Sequence, residues 1–252
     1  MIELGEAHSL SDLIEAVHSV GEQFGEQLWF RGHQEQNWQL IPSAYRKSYL
    51  IETQFANHFR FRAPSLDLKC PKHEDLISWL PLMQHYGLPT RLLDWSESLL
   101  IATFFALLNK SADSKPVIWI FAPSNFNSLS SIGKFIPFLH NERVKPIVQA
   151  AFDYSLSLQN LESMAVIAPR KDIRMTAQLC NFTIHGDKIP IEDYQNTDNF
   201  LARISIPSEF QNKIRRDLSV VGVRRSSVFP DLTNLAHEIS ELVAFDENGD
   251  IL

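Results

Sequence analysis

Hydrophobic residues recur at helical spacing in several stretches of the chain. In residues 9–20 the apolar positions are Leu10, Leu13, Ile14, Val17 and Val20, which share one face of a helix. Ser9 and Asp12 form a capping-box pattern at its start. Residues 73–87 carry a proline at position 81 and predict an interrupted helix. The predicted helices are residues 9–20, 50–63, 73–87, 98–108, 172–180, 208–222 and 230–245.

Short apolar or alternating stretches predict strands between these helices. Residues 115–123 are a continuous apolar run bounded by prolines, as in a fully buried strand, while residues 199–207 alternate with period two. The other predicted strands are residues 27–32, 164–169 and 181–185. Helices and strands follow no regular βαβ order, so the pattern predicts an α+β fold with a mixed sheet flanked by helices. We expect one domain over 1–252, with an N-terminal helical segment at 1–27 and a core at 28–240.

Composition narrows the function classes. The formal net charge of -7 disfavours nucleic acid as the main partner. The sequence shows no secretory signal and no apolar run long enough for a membrane span, so we expect a cytoplasmic protein without a membrane partner. Two cysteines without a CxxC motif fit a reducing compartment, and no His/Cys pattern predicts a metal.

Arg31 and Gly32 are the first candidates for a functional site. A guanidinium at the end of an apolar strand must be paired, stacked or directed at an anion. Gly32 permits close approach of backbone or ligand. The alternative interpretation is a buried ion pair, for which Asp94 is a candidate partner.

The segment 84–96 places many polar and turn-forming residues before the most apolar helix. The free amides at that helix start, together with Arg91, suit a phosphate, while Asp94 suits an arginine or a ribose hydroxyl. Tyr86 and Trp95 offer flat faces for a ring. Ser96 is a candidate catalytic residue or a candidate N-cap of this helix. Ser98 is a candidate for the N-cap only. The alternative is that one residue caps the helix and the aromatic side chains fill the core. The remaining candidate ligand contacts in this segment are His85 and Thr90.

A third candidate cluster lies in residues 174–183. Arg174 and Gln178 are four residues apart and therefore share a helix face. Phe182 and Thr183 follow on a strand. An ordinary helix-to-strand connection explains this pattern equally well.

These segments together resemble the FRG domain family. The resemblance rests on "FRG" at residues 30–32, "LIPSAYR", "LMQHYGLPTRLLDWSESLLIATFFAL", "PVIWIF", "RMTAQLCNFTIH" and "GVRRSSVFPDLTNLAHEI". The chain departs from the family pattern at Cys180, where a glycine is usual before Phe-Thr. The family name carries no assigned activity.

A looser resemblance is to arginine-type mono-ADP-ribosyltransferases. "FRG" is similar to their (F/Y)RG strand, which implies that Arg31 contacts the phosphate and ribose of NAD. "LLDWSESLLIATFFA" is similar to their serine-containing strand and following helix, which implies a position for Ser96 near the nicotinamide. The late catalytic glutamate of those enzymes has no match. Gln178 lies in that region without a charge, and Glu238 and Glu241 fall on a predicted helix.

Three functional hypotheses follow. The first is an NAD- or nucleotide-handling domain with an ADP-ribosyltransferase-like fold, which transfers ADP-ribose to a protein acceptor or cleaves NAD in a toxin or phage-defence setting. Its catalytic residues would be Arg31, Asp94, Ser96 and Gln178. The second is a non-catalytic module that binds a nucleotide, another small molecule or a regulatory partner. The third, nucleic-acid processing, is disfavoured by charge and by the absence of clustered metal-binding carboxylates.

Overall fold

Seven strands form one mixed sheet at the centre of the molecule. The computed structural model describes residues 1–25, 27–46, 50–108, 114–156, 161–170 and 172–244. The sheet order is β1-β7-β4-β2-β3-β6-β5; β1 and β7 are parallel and the other neighbours antiparallel. The predicted α+β class with a mixed sheet flanked by helices is confirmed. The strands are β1 (Ile2–Glu6), β2 (Trp29–His33), β3 (Leu92–Ser96), β4 (Val117–Phe121), β5 (Met164–Val166), β6 (Cys180–Ile184) and β7 (Leu201–Ser205).

The sheet is stabilised by two clusters of buried apolar side chains. Every residue of β4 is buried, as its uninterrupted apolar sequence predicts for a central strand. Trp29, Trp95 and Phe121 belong to the larger cluster, in which the rings of Trp95 and Phe121 stack with centroids 4.4 Å apart. The smaller cluster joins β5 and β6 to the helical layer through Trp79, Met83 and their neighbours.

The helices lie around this sheet with the caps that the sequence predicts. The Ser9 side chain accepts the Asp12 N–H, and Ser98 rather than Ser96 caps the most apolar helix. The helices are α1 (Leu10–Phe24), α2 (Leu50–Arg62), α3 (Leu76–His85), α4 (Leu99–Ala106), α5 (Pro123–Asn127), α6 (Lys145–Gln149), α7 (Ile173–Ala177), α8 (Ser208–Val220), α9 (Arg225–Val228) and α10 (Leu232–Ala244). Within the described ranges, no helix combines the length and apolarity needed to cross a bilayer.

Three expectations from the sequence are corrected by the structure. Residues 92–96, which are not among the strands that the apolar pattern predicts, form strand β3, because β6 pairs with all five of them. Pro81 does not interrupt α3, which runs through it. The N-terminal segment contains a strand as well as a helix, since Ile2 and Glu3 pair with β7.

Strands β2 and β3 are neighbours in the sheet but separate almost at once. Within the described chain they share one residue pair, Phe30 with Ser96, whereas β2 and β4 share five. Beyond that pair the main chains diverge in the middle of the sheet. This separation creates the cleft that contains most of the candidate functional residues.

Candidate functional site

The cleft lies where β2 and β3 separate and has a volume of about 310 Å³. It is bordered by β2, β3, the middle of α4 and the segment from α7 to β6. Its lining residues are Phe30, Arg31, Gly32, Gln34, Trp38, Gln84, Asp94, Trp95, Ser96, Ala102, Phe105, Arg174, Gln178 and Cys180. The structure therefore brings Arg31, Asp94, Ser96, Arg174 and Gln178 together, as the sequence predicts.

Arg31 spans the gap between the two strands. Its Nη1 donates to the backbone carbonyl of Asp94 at 2.6 Å, so this side chain replaces a missing hydrogen bond between the strands. The same Nη1 lies 3.8 Å from the Asp94 carboxylate. The side chain is 21% exposed. Burial lowers the pKa of Arg31, although the charge of Asp94 opposes that shift. Among the described residues, none accepts a hydrogen bond from Nη2, which remains a donor for a ligand.

His33 fixes the other edge of the Arg31 guanidinium. Its Nε2 accepts the Arg31 Nε–H at 3.0 Å, so the hydrogen of the neutral ring is on Nδ1 and donates to the Trp38 carbonyl at 3.2 Å. The indole Nε1 of Trp119 lies 3.2 Å from that Nδ1, but two donors form no hydrogen bond. Burial, and then the charge of Arg31, lowers the pKa of His33 to about 2. His33 is therefore a neutral acceptor that orients Arg31.

Asp94 is the one carboxylate among the lining residues of the cleft. Its Oδ2 accepts from Gln84 Nε2 at 2.8 Å, and the Thr90 hydroxyl donates to the Gln84 carbonyl oxygen. Thr90 and Gln84 thus form a hydrogen-bonded chain that holds the carboxylate in place. The Asp94 side chain is 47% exposed, so it can still accept a hydrogen bond from a ligand. Thr90 itself is buried and supports the site without lining it.

Arg174 provides a second cation on the opposite wall. Its guanidinium lies over the ring of Phe229, 4.8 Å from the centroid. In the described part of the chain, no carboxylate forms an ion pair with Arg174. Trp38, which is 46% exposed, and Phe105 provide aromatic surface beside the charges. The walls therefore combine two cations, one carboxylate and flat apolar rings.

Ser96 and Gln178 line the cleft, but most of their polar groups are already bonded to protein. The Ser96 hydroxyl donates to the Gln178 carbonyl at 2.7 Å and accepts from the Ser98 N–H at 3.0 Å. The Gln178 Nε2 donates to the Val228 carbonyl at 3.2 Å. These bonds join the end of β3 to α7 and α9, so both residues brace the cleft wall.

The departure at Cys180 lies directly after the turn before β6. Leu179 takes the left-handed conformation there with φ 49°, which costs a non-glycine residue about 1–2 kcal/mol. Cys180 begins the strand with its side chain at the cleft, and burial raises the pKa of its thiol to about 12, with Asp94 adding to the shift. A thiol with this pKa is not an activated nucleophile.

The predicted ligand contact at Arg91 is wrong. Arg91 is fully buried, and its Nη2 donates to the Glu52 carboxylate of α2 at 2.7 Å. The Arg91 N–H donates to the same carboxylate at 2.7 Å. Arg91 precedes β3 and Ser98 follows it, so at about 3.3 Å per residue they are roughly 20 Å apart along the strand. Arg91 therefore cannot strengthen an anion site at the start of α4.

Trp95, Phe182 and Thr183 are also corrected, because their side chains are buried in the protein. Trp95 borders the cleft, but its ring stacks on Phe121 and its Nε1 donates to the Thr183 hydroxyl at 3.2 Å. Phe182 and Thr183 lie in β6, all of whose residues are buried. The pairing of β3 with β6 brings Trp95 and Thr183 within hydrogen-bond distance of each other.

His85 and Tyr86 lie outside the cleft. His85 Nδ1 is 3.4 Å from the Asp172 carboxylate, and Tyr86 is 62% exposed. Tyr86 lines a separate apolar groove of about 840 Å³ beside α2 and α3. The structure therefore does not bring these two residues to the cleft.

Gly32 is required by the helix behind the sheet. A Cβ at this position would lie 1.9 Å from the Ala102 carbonyl oxygen and 2.6 Å from the Ala106 nitrogen. Of the two partners that the sequence allows at Gly32, backbone or ligand, the structure shows backbone, because α4 packs directly on β2.

Neither late glutamate reaches the cleft. Glu238 accepts the Ser226 N–H at 2.7 Å, and Glu241 lies 3.9 Å from His237 on exposed α10. In the described ranges, no three His, Cys, Asp or Glu side chains are grouped as metal ligands. The position of a late catalytic glutamate thus has no occupant among the residues that line the cleft.

Sequence reasoning missed four residues that shape the site. His33 could have been found, because residues two apart on a strand share a face and it follows Arg31 at that spacing. Gln84 lies within the family motif, but its position there does not indicate a contact with Asp94. Trp38 lies in a polar loop and Phe105 in an apolar helix, and neither position carries a local signal.

Comparison with known proteins agrees with part of the predicted resemblance. Residues 26–115 match the FRG domain family. This range contains Arg31, His33, Gln84 and Asp94 but ends before Arg174 and Gln178. No curated protein and no solved structure matches the chain. The resemblance to ADP-ribosyltransferases receives no support from these comparisons.

Proposed function

We propose that the cleft binds a phosphorylated nucleotide, either a mononucleotide or one half of a dinucleotide such as NAD. The observation that carries the proposal is the separation of β2 and β3, which opens the middle of a sheet and places Arg31 in the gap. Such a break in a buried ladder costs backbone hydrogen bonds. A ligand site accounts for an arrangement that packing alone does not favour.

Charge defines the ligand class. Arg31 presents Nη2, and Arg174 presents a guanidinium that forms no ion pair within the described ranges. The cleft therefore favours a phosphate, which both arginines can bind through charge-assisted hydrogen bonds. The Asp94 carboxylate accepts a hydrogen bond from Gln84 and is half exposed. It can therefore accept hydrogen bonds from ribose hydroxyls as well. Trp38 and Phe105 offer stacking surface for a base.

Size sharpens the proposal. The volume of about 310 Å³ is at the lower end of the roughly 300–1,000 Å³ that small-molecule sites occupy. A whole dinucleotide would therefore extend beyond the cleft, with one nucleotide half inside.

The experiment is a calorimetric titration with AMP, nicotinamide mononucleotide, ADP-ribose, NAD and inorganic phosphate. We expect Arg174→Gln to weaken nucleotide binding at least tenfold, since a hydrogen bond to a charged group contributes about 1.5–3 kcal/mol. Arg216→Gln is the matched control, because Arg216 is an exposed arginine outside the cleft. Absence of binding by every nucleotide, or equal affinity for both variants, contradicts the proposal.

A second candidate is cleavage of the nicotinamide–ribose bond of NAD, favoured by the position of Asp94 as the carboxylate of the cleft. Water would add to the anomeric carbon while the C–N bond breaks, releasing nicotinamide and a proton. The Asp94 charge would stabilise the positive charge that develops on the ribose. We expect Asp94→Asn to abolish nicotinamide release while ADP-ribose still binds. Binding without release by the unmodified protein leaves the binding module as the function.

A further inference from the structure

Helix α10 presents an apolar stripe to solvent. Four residues spaced by three, four and four positions share one face, and their exposed fractions are 83% for Leu232, 41% for Leu235, 50% for Ile239 and 64% for Val243. An amphipathic helix on the surface of a protein normally buries such a stripe against the core.

The polar face of α10 contacts the protein instead. The Asn234 side-chain oxygen accepts from Arg225 Nε at 2.9 Å, and the Glu238 carboxylate accepts the Ser226 N–H at 2.7 Å. Both partners belong to α9, so hydrogen bonds attach this face of the helix, and the four residues of the stripe lie on another face. This orientation is the reverse of the usual one. Burial of the stripe against another surface would therefore be favourable.

We propose that the α10 stripe is a dimer interface that pairs with the same stripe of a second copy of this chain. The spacing of Leu232, Leu235 and Ile239 matches the a and d positions of a heptad, which pack knobs into holes against a similar helix. Two-fold symmetry allows one patch to serve both subunits.

The charges beside the stripe favour this occupant over a membrane surface. Helices that lie on anionic lipids carry Lys and Arg along the polar face. The polar face of α10 instead carries the acidic residues Glu238 and Glu241, and Asp231 directly precedes the helix. Asp231 and Glu238 already accept hydrogen bonds from Asn234 and Ser226, which reduces repulsion between two copies.

The size of the stripe sets the strength of the dimer. Thirteen residues give a helix about 20 Å long. One such helix face provides less than the roughly 800 Å² per partner of a standard interface. The dimer should therefore be reversible, with dissociation constants in the micromolar range.

Sedimentation velocity from low micromolar to several hundred micromolar protein tests the proposal. We expect concentration-dependent dimers, and at least a tenfold weaker association for Leu235→Glu and for Ile239→Glu. Thr233→Glu is the matched control, because it adds the same charge to exposed α10 away from the stripe, in the first turn where an acid favours the helix. Far-ultraviolet circular dichroism checks that each variant keeps its helices.

Two outcomes overturn the proposal. A chain that stays monomeric at the highest concentration has no self-association through α10, and the stripe would then belong to another partner. Dimers that persist unchanged in both glutamate variants must use a different surface.

Discussion

Two arginines flank the separation of β2 and β3, and the protein uses them in opposite ways. Arg31 is 21% exposed, and its Nη2 donates to none of the residues that the structure describes. Arg91 is fully buried in an ion pair with Glu52. Each has a neutral histidine nearby, His33 beside Arg31 and His185 near Arg91. Residue type therefore does not decide which arginine stays available for a ligand; the position of the nearest carboxylate does.

The largest expected effect comes from removing the partner of the buried arginine. Glu52→Ala leaves Arg91 charged and uncompensated in the interior, which should lower the free energy of unfolding by about 3–5 kcal/mol. Urea denaturation measures this difference. Glu142→Ala is the control, because that carboxylate is 84% exposed in its pair with Lys145 and should contribute about 1 kcal/mol or less. Equal losses of unfolding free energy in both variants would show that the Arg91–Glu52 pair does not behave as a buried ion pair.

The next effect concerns the glycine beside the cleft. Gly32→Ala forces a Cβ into the α4 backbone and should cost about 1–3 kcal/mol or prevent folding, since main-chain atoms cannot rotate away. Gly21→Ala is the control, because a Cβ there meets no atom within 4 Å and alanine favours a helix by about 1 kcal/mol. Thermal unfolding of the two variants should shift in opposite directions. A stable Gly32→Ala protein would mean that α4 does not pack directly on β2.

A smaller effect appears as pH falls. Burial lowers the pKa of His33 to about 2 and that of His185 to about 3, while an unfolded histidine titrates near 6.5. The unfolded chain therefore takes up protons first, so stability is full above about pH 6.5 and decreases as pH drops toward the folded values. Each histidine should reduce the free energy of unfolding by about 1 kcal/mol per pH unit between pH 6 and 5.

His33→Gln separates the two contributions. Glutamine keeps an acceptor for Arg31 but does not titrate, so the slope of stability against pH between pH 6 and 5 should fall by about half. An unchanged slope would show that His33 is not held neutral in the folded protein.

Most elements were predictable from local patterns, while the site depended on pairings that these patterns do not contain. The caps at Ser9 and Ser98 and the buried strand β4 follow from residues within one turn or one strand. The local apolar pattern does not predict strand β3, because Asp94 and Ser96 interrupt its apolar sequence and its position depends on β6, which lies far along the chain.

The candidate site was half predictable for the same reason. Arg31 is predicted because a guanidinium at the end of an apolar strand requires a partner, Asp94 because it lies in the polar segment before α4, and Arg174 because it shares a helix face with Gln178. Arg91 lies in the same polar segment as Asp94 but pairs with Glu52, which is 39 positions away and carries no sequence signal. A single sequence therefore detected the buried charges without separating the paired arginine from the available one.

The most direct test measures stability and nucleotide affinity in the same two variants, Arg31→Met and Arg91→Met. Loss of Arg31 should weaken binding of ADP-ribose at least tenfold. It should also lower the free energy of unfolding by about 1–3 kcal/mol, because the acceptors of its hydrogen bonds lose their donor. Loss of Arg91 should cost about 3–5 kcal/mol of stability, while the protein that remains folded binds ADP-ribose with unchanged affinity. Normal binding by Arg31→Met, or weakened binding by folded Arg91→Met, would contradict the assignment of the cleft as the ligand site.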